Sequence, residues 1–278
     1  MVTLMFRTWI LFSFGLSVSS VFSQTSERDS SATTSHPIAA DEWDRPELPR
    51  ITLLVWNVAK RVAARDELTG YAKGCDIICL QEYVPGIQAG DVPHSEFASS
   101  FRSWFSGKST GVCTISQQPH VGSMAIRSRW REGYILTPKM TLVSTHAFGE
   151  SRLMVVNLHG MNFQPFFTYM LRQQLFQIAE SVEQHKGPVI VCGDFNTWSR
   201  RRQQLVDVAL SDCQQVDFPK HEHRKTADWF VSLVGGNPTL PLDHVYTRGI
   251  RVVDPPKVLV TKHSDHAPLK VTLELATP

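Results

Sequence analysis

The feature that most constrains the fold is a succession of short Val-, Ile- and Leu-rich runs, each bounded by Gly, Pro, Asn or Asp. They lie at Ile51 to Val58, Asp76 to Leu80, Val112 to Ile115, Gly122 to Ile126, Met140 to Ser144, Leu153 to Leu158, Pro188 to Cys192, Leu242 to Tyr246, Lys257 to Thr261 and Leu269 to Leu275. Apolar runs of roughly four to eight residues between turn formers read as strands. Between them the period changes. Phe167, Met170, Leu171, Gln174, Ile178, Ala179 and Val182 recur at three- and four-residue steps, which predicts an amphipathic helix. Leu205, Val208 and Ala209 predict a shorter one after Trp198. Many strands with a few interleaved helices predict a layered α/β protein. With no internal repeat and no second low-complexity break, residues 50–278 are expected to form one domain.

The residues before that domain have another character. Arg7 precedes an apolar stretch, Trp9 to Phe22, and compact residues stand before Gln24. A positive region, an apolar region and a cleavage site predict a signal peptide over residues 1–23, and hence export to the periplasm or beyond. The stretch is about 14 residues, short of the roughly 20 that cross a bilayer, so no transmembrane span is expected in the mature protein. Residues 24–49, rich in Ser, Thr, Pro and charge, read as a disordered linker. Cys75, Cys79, Cys113, Cys192 and Cys213 are too few and too scattered for a disulfide framework. Cys79 and Cys192 sit in apolar runs and read as small core residues. A net charge of +2 is too mild to announce a nucleic-acid binder, so any attraction for an anionic substrate must come from local clusters.

Polar residues of a few types interrupt the runs at their C-terminal ends. Asn57 ends the first, Glu82 the second, Asn157 and His159 another, and Asp194 and Asn196 follow Val189 to Gly193. Asp265 and His266 occupy the turn before the last run. Any one of these has an ordinary reading as a turn residue or a solvated charge. Together, hard oxygen ligands and imidazoles with no thiolate among them suit Mg²⁺ or Mn²⁺ phosphate chemistry. Residues two apart on a strand share a face, which pairs Asn157 with His159 and Asp194 with Asn196. Arg200, Arg201 and Arg202 begin just after Asn196 and read equally as a solvated helix face or as a polyanion clamp. His221 and His223 fall in a charged, loop-like stretch and are expected to be solvated.

Read in order, Trp56-Asn57, Gln81-Glu82, Asn157-Leu158-His159, Gly193-Asp194-Phe195-Asn196, Leu242-Asp243-His244 and Ser264-Asp265-His266 resemble the endonuclease/exonuclease/phosphatase superfamily, over Ile51 to Leu275. The wording from Met154 to His159, at Asn162-Phe163 and from Gly187 to Arg202 is similar to its bacterial YafD-like branch. The resemblance implies a four-layer α/β/β/α sandwich of two packed sheets, mostly antiparallel or mixed, with the active site at one open edge. It implies hydrolysis of a phosphodiester with Mg²⁺ or Mn²⁺, by a nuclease first and by a lipid or small-molecule phosphodiesterase second. A catalytically dead binding module is the third reading, although every matched polar position is filled. No stable protein partner is expected.

The resemblance also assigns roles. Glu82 binds the metal with Asn57 beside it, and Asp265 supports the metal side. Asp194 aligns or deprotonates the attacking water, and Asn196 fixes that water or a phosphate oxygen. Asp243 orients His266, which contacts the scissile phosphate. His159 donates to a phosphate oxygen or the leaving group. Asn157, with Arg200, Arg201 and Arg202, is expected on the substrate side. One departure stands out. Where many members carry Ser-Arg after a Gly-rich strand, this chain has Ser116-Gln117. Arg127, Arg129 and Lys139 are the candidates to replace that cation.

Overall fold

The computed structural model describes residues 48–87, 92–102, 107–132, 137–162, 168–219 and 241–276. The expected signal segment, the linker up to residue 47, Phe163, His221 and His223 lie outside the described residues. In chain order the elements are β1 (Arg50–Asn57), α1 (Arg65–Tyr71), β2 (Ile77–Tyr83), β3 (His94–Arg102), β4 (Ser109–Ser116), β5 (His120–Glu132), β6 (Thr137–Phe148) and β7 (Ser151–His159). There follow α2 (Tyr169–Gln184), β8 (Val189–Asp194), α3 (Arg200–Ala209), β9 (Gln214–Gln215), β10 (Asp243–Arg248), β11 (Ile250–Val252), β12 (Lys257–Val258) and β13 (Leu269–Leu275). Every expected run carries a strand, although Lys257 to Thr261 keeps only the two residues of β12.

Two sheets result. The first runs β11-β13-β1-β2-β4-β3, with β12 also on β13, and the second runs β5-β6-β7-β8-β10-β9. β1 pairs in parallel with β2, and β7 with β8. A parallel pair needs a crossover, and α1 and α2 supply one each.

Side-chain alternation builds the layers. On β1, Ile51, Leu53 and Val55 meet Leu153 and Val155 of β7, Ile190 and Cys192 of β8 and Val245 of β10, all buried in one core between the sheets. Leu54 and Trp56 turn the other way and pack with Ala64 and Leu68 around α1. Met154, Val156 and Leu158 turn outward from the second sheet onto Leu171, Leu175 and Ile178 of α2 and Val206 of α3. Three apolar interfaces separate four layers, helix, sheet, sheet, helix, which is the α/β/β/α sandwich expected. All five cysteines are free thiols, four of them buried.

Candidate active site

The period of two that builds the core also builds the site. Asn57, Asn157, His159, Asp194 and Asp243 continue the inward-facing series of β1, β7, β8 and β10 at one end of the seam between the sheets. Within the second sheet, Asp194 lies in register with both His159 and Asp243. From the first sheet, Asn57 Nδ2 donates to Asp194 Oδ2 at 3.0 Å. Gly193 lets β8 lie close against β7 just before the site. Its φ is 133°, and a Cβ there would stand 2.1 Å from the Leu158 carbonyl oxygen.

Asp194 is the centre of the cluster. The Asn196 N–H donates to its Oδ1 at 2.9 Å, and Asn196 Nδ2 donates to the Gly160 carbonyl. Around Oδ2 stand His159 Nε2 at 3.5 Å and His266 Nε2 at 3.9 Å. His266 Nδ1 makes a 2.8 Å bond with Asp243 Oδ2. The turn that carries His266 is fastened to β1. Ser264 Oγ donates to the Asn57 carbonyl at 2.6 Å and accepts the His266 N–H at 3.1 Å, while the Trp56 indole N–H donates to the His266 carbonyl at 2.9 Å. Trp56 and Ser264 thus hold the histidine through its backbone.

Opposite His266 the site is lined by cations. Lys60 Nζ lies 3.3 Å from Glu82 Oε2, and Glu82 Oε1 lies 3.9 Å from His159 Nε2. Lys139 Nζ lies 2.9 Å from the same His159 nitrogen. Among the described residues, the non-glycine residues with positive φ are Ala59 (50°), Lys60 (60°), Glu82 (50°) and Asn196 (54°). Each such residue costs on the order of 1–3 kcal/mol, and strain of this kind concentrates at functional sites.

Burial and charge set the protonation states. Burial works against the His266 imidazolium, yet the Asp243 and Asp194 carboxylates outweigh it and raise its pKa to about 10. Burial pushes the Asp194 carboxyl up to about 7, with His266 pulling it down and Asp243 pushing it further. His159 is held well below the usual imidazole range, first by burial and then by Lys139, Lys60 and His266. One imidazole is therefore charged at neutral pH and the other is not.

A metal has a candidate seat. Asp194, Asp243 and His266 each offer a ligand atom, and these atoms lie within 4.8 Å of one another. A protonated imidazole has no lone pair to give, so the His266–Asp243 ion pair and a metal on His266 are alternatives. The carboxylates of Asp194, Asp243 and Glu82 fit a hard divalent cation regardless. The compact donor group among the described residues thus comes from residues expected to do the chemistry, and does not include Glu82 or Asp265. Asp265 is exposed, outside that group.

Two residues expected on the substrate side are buried and hold the structure together. Asn157 is fully buried. Its Oδ1 accepts from Gln81 Nε2 at 2.8 Å, and its Nδ2 donates to the Cys113 carbonyl at 3.0 Å. It ties the two sheets together. Arg202 is also buried, its Nε donating to the Asn196 carbonyl at 2.5 Å and its Nη2 to the Met161 carbonyl. Arg200 and Arg201 are exposed. The residues that sequence reasoning missed are Lys60 and Gln174. Gln174, a polar residue inside the apolar stripe of α2, donates to the His159 carbonyl at 2.9 Å and accepts the Met161 N–H at 3.0 Å. That break in the stripe was its only signal.

Comparisons with known proteins bear on the fold and the family. A UPF0294 protein of Vibrio vulnificus (strain YJ016) is 32% identical over 239 residues, covering 82% of this chain and 78% of its own. An endonuclease/exonuclease/phosphatase structure from Beutenbergia cavernae superposes with a TM-score of 0.62 at 17% identity, covering 82% of this chain and 72% of that one. Sphingomyelinase C from Streptomyces griseocarneus gives 0.57 at 16%, covering 82% of this chain and 100% of that one. At these identities the structures speak for the fold. Residues 54–266 match the profile of the endonuclease/exonuclease/phosphatase family, and the chain belongs to that family.

Proposed function

We propose that this protein is an exported, divalent-metal-dependent phosphodiesterase that acts on nucleic acid, within the YafD-like branch of its family. The observation that carries the reading is the convergence of Asp194, Asp243 and His266 at one end of the seam. Glu82, with Asn57 alongside, would hold Mg²⁺ or Mn²⁺. Such an ion neutralises phosphate charge and polarises the ester when bound.

The chain's own residues supply the rest. Asp194, its two oxygens fixed by the Asn196 N–H and by Asn57, aligns the attacking water and accepts its proton. His266, charged and steadied by Asp243, presents Nε2 to a phosphate oxygen. In a buried site, donors fixed in advance stabilise developing charge better than water does. Arg200 and Arg201, exposed at the start of α3 soon after Asn196, support a substrate that carries several phosphates. Arg7 and the apolar stretch Trp9 to Phe22 support export, and N-terminal sequencing of the mature protein should begin near Gln24. An intact Met1 on cytoplasmic protein would overturn export alone.

The test is hydrolysis of single- and double-stranded DNA, RNA, sphingomyelin and a chromogenic diester, with and without chelator. Turnover of a nucleic acid that stops in chelator and returns with Mg²⁺ or Mn²⁺ is expected. Full activity after exhaustive chelation overturns the metal assignment. Turnover of sphingomyelin but of no nucleic acid moves the substrate to the lipid class.

A further inference from the structure

We propose that Lys139 is the group that meets the negative charge of the scissile phosphate beside His159, an inference that rests on the phosphodiesterase reading above. An ammonium carries donors only, whereas a neutral imidazole has one donor and one acceptor nitrogen. At 2.9 Å from Lys139 Nζ, His159 Nε2 is therefore the acceptor, and the ring proton sits on Nδ1. The family resemblance implies that His159 donates to the phosphate or the leaving group, but the nitrogen that faces Asp194 and Glu82 already accepts a bond from the lysine. The donor at this corner is the lysine.

Its position is built rather than incidental. The Lys139 N–H donates to Ser128 Oγ on β5 at 2.9 Å, and Ser100 Oγ on β3 donates to the preceding carbonyl, Pro138. The β5–β6 register shifts between Arg127 and Arg131, which is where Ser128 reaches across. A register shift of this kind re-aims a side chain. Lys139 is only partly buried, so a ligand can reach it.

The other cations are less well placed. Arg127 donates to the Ser100 carbonyl at 3.0 Å, on the edge strand of the other sheet. Arg129 is exposed on β5. Lys60 lies against Glu82, whose carboxylate offsets its charge, while Lys139 Nζ stands against the His159 ring nitrogen that faces Asp194. During hydrolysis the water oxygen forms the new bond to phosphorus as the bond to the leaving oxygen breaks. Charge then grows on the non-bridging oxygens. Lys139 moves no proton in this step and answers that charge.

The experiment pairs a diester with its methylphosphonate analogue, in which a methyl group replaces one charged non-bridging oxygen and the leaving group is kept. Lys139→Gln should lose about 10²-fold in kcat/KM on the diester, and no more than about fivefold on the analogue. Lys139→Arg, which restores the charge, should recover most of the loss on the diester. Equal losses on both substrates would mean that Lys139 merely positions His159, and would overturn the proposal. Calorimetric titration with inorganic phosphate gives a readout independent of turnover, and Lys139→Gln should weaken it about tenfold. Phosphate affinity that ignores the substitution overturns the proposal even if the wild type is active. A wild type that binds phosphate through Lys139 but hydrolyses no diester overturns the phosphodiesterase reading and leaves the anion site standing.

Discussion

Asn157 and His159 stand two residues apart on β7 and face the same seam, yet one is a tie and the other belongs to the reactive cluster. The alternation rule put both on one face correctly. What it could not supply is where along that face the seam opens, because opening depends on the partner sheet and not on β7. Gln81 and Cys113 close over Asn157, while beyond His159 the neighbours are Lys139, Glu82 and Asp194. The two residues should therefore fail differently. Asn157→Ala leaves buried partners unsatisfied and should cost about 2–4 kcal/mol in urea unfolding, with turnover per folded molecule little changed. His266→Gln should cost on the order of 10² to 10⁴ in kcat. A stable but inactive Asn157→Ala would return that residue to the substrate side.

The same division runs through α3. Its first three residues are all arginine, and nothing local distinguishes them. The helical period does: Arg202 turns inward onto the Trp198 ring, 5.0 Å away, and its guanidinium holds the Asn196 and Met161 carbonyls. Replacing Arg200 and Arg201 together by Ala should reduce the log–log salt slope of nucleic-acid binding by about one to two units, leaving stability intact. Arg202→Ala should leave the slope alone and lower the unfolding midpoint. A slope that responds to Arg202 instead would reverse the assignment. Other elements were less legible. β3, with Ser95, Ser99, Ser100 and two phenylalanines, is a half-exposed edge strand whose apolar residues are too sparse to mark it. α1 is a short helix with one buried leucine, Leu68, and no stripe to read. Long, buried elements announced themselves because burial on both faces leaves only apolar residues. Edge and cap elements did not.

For the whole molecule, the four layers followed from a resemblance carried by six short motifs, and the cores then showed why those motifs sit where strands end. Stability should carry a pH signature from a group far from that site. His146, buried on β6 and bonded to Ser144 Oγ, has its pKa lowered to about 4, chiefly by burial. A depressed histidine binds its proton more readily in the unfolded chain. Its contribution is thus fully present above the unfolded value near 6.5 and is lost as pH falls toward 4. The loss amounts to about 3 kcal/mol. Urea midpoints of wild type and His146→Gln should converge over that window, and parallel curves would remove His146 as the cause. The topology has a kinetic consequence as well. β1 is completed on one side by β2, close in sequence, and on the other by β13, so that Arg50 meets Glu274 across 224 residues of chain. Closing so distant a pair is slow relative to local helix formation. His266 precedes β13 and is fastened to β1 through Trp56 and Ser264. On refolding, helical signal should therefore return before catalytic competence, because the last contact to form is the one that delivers the imidazole.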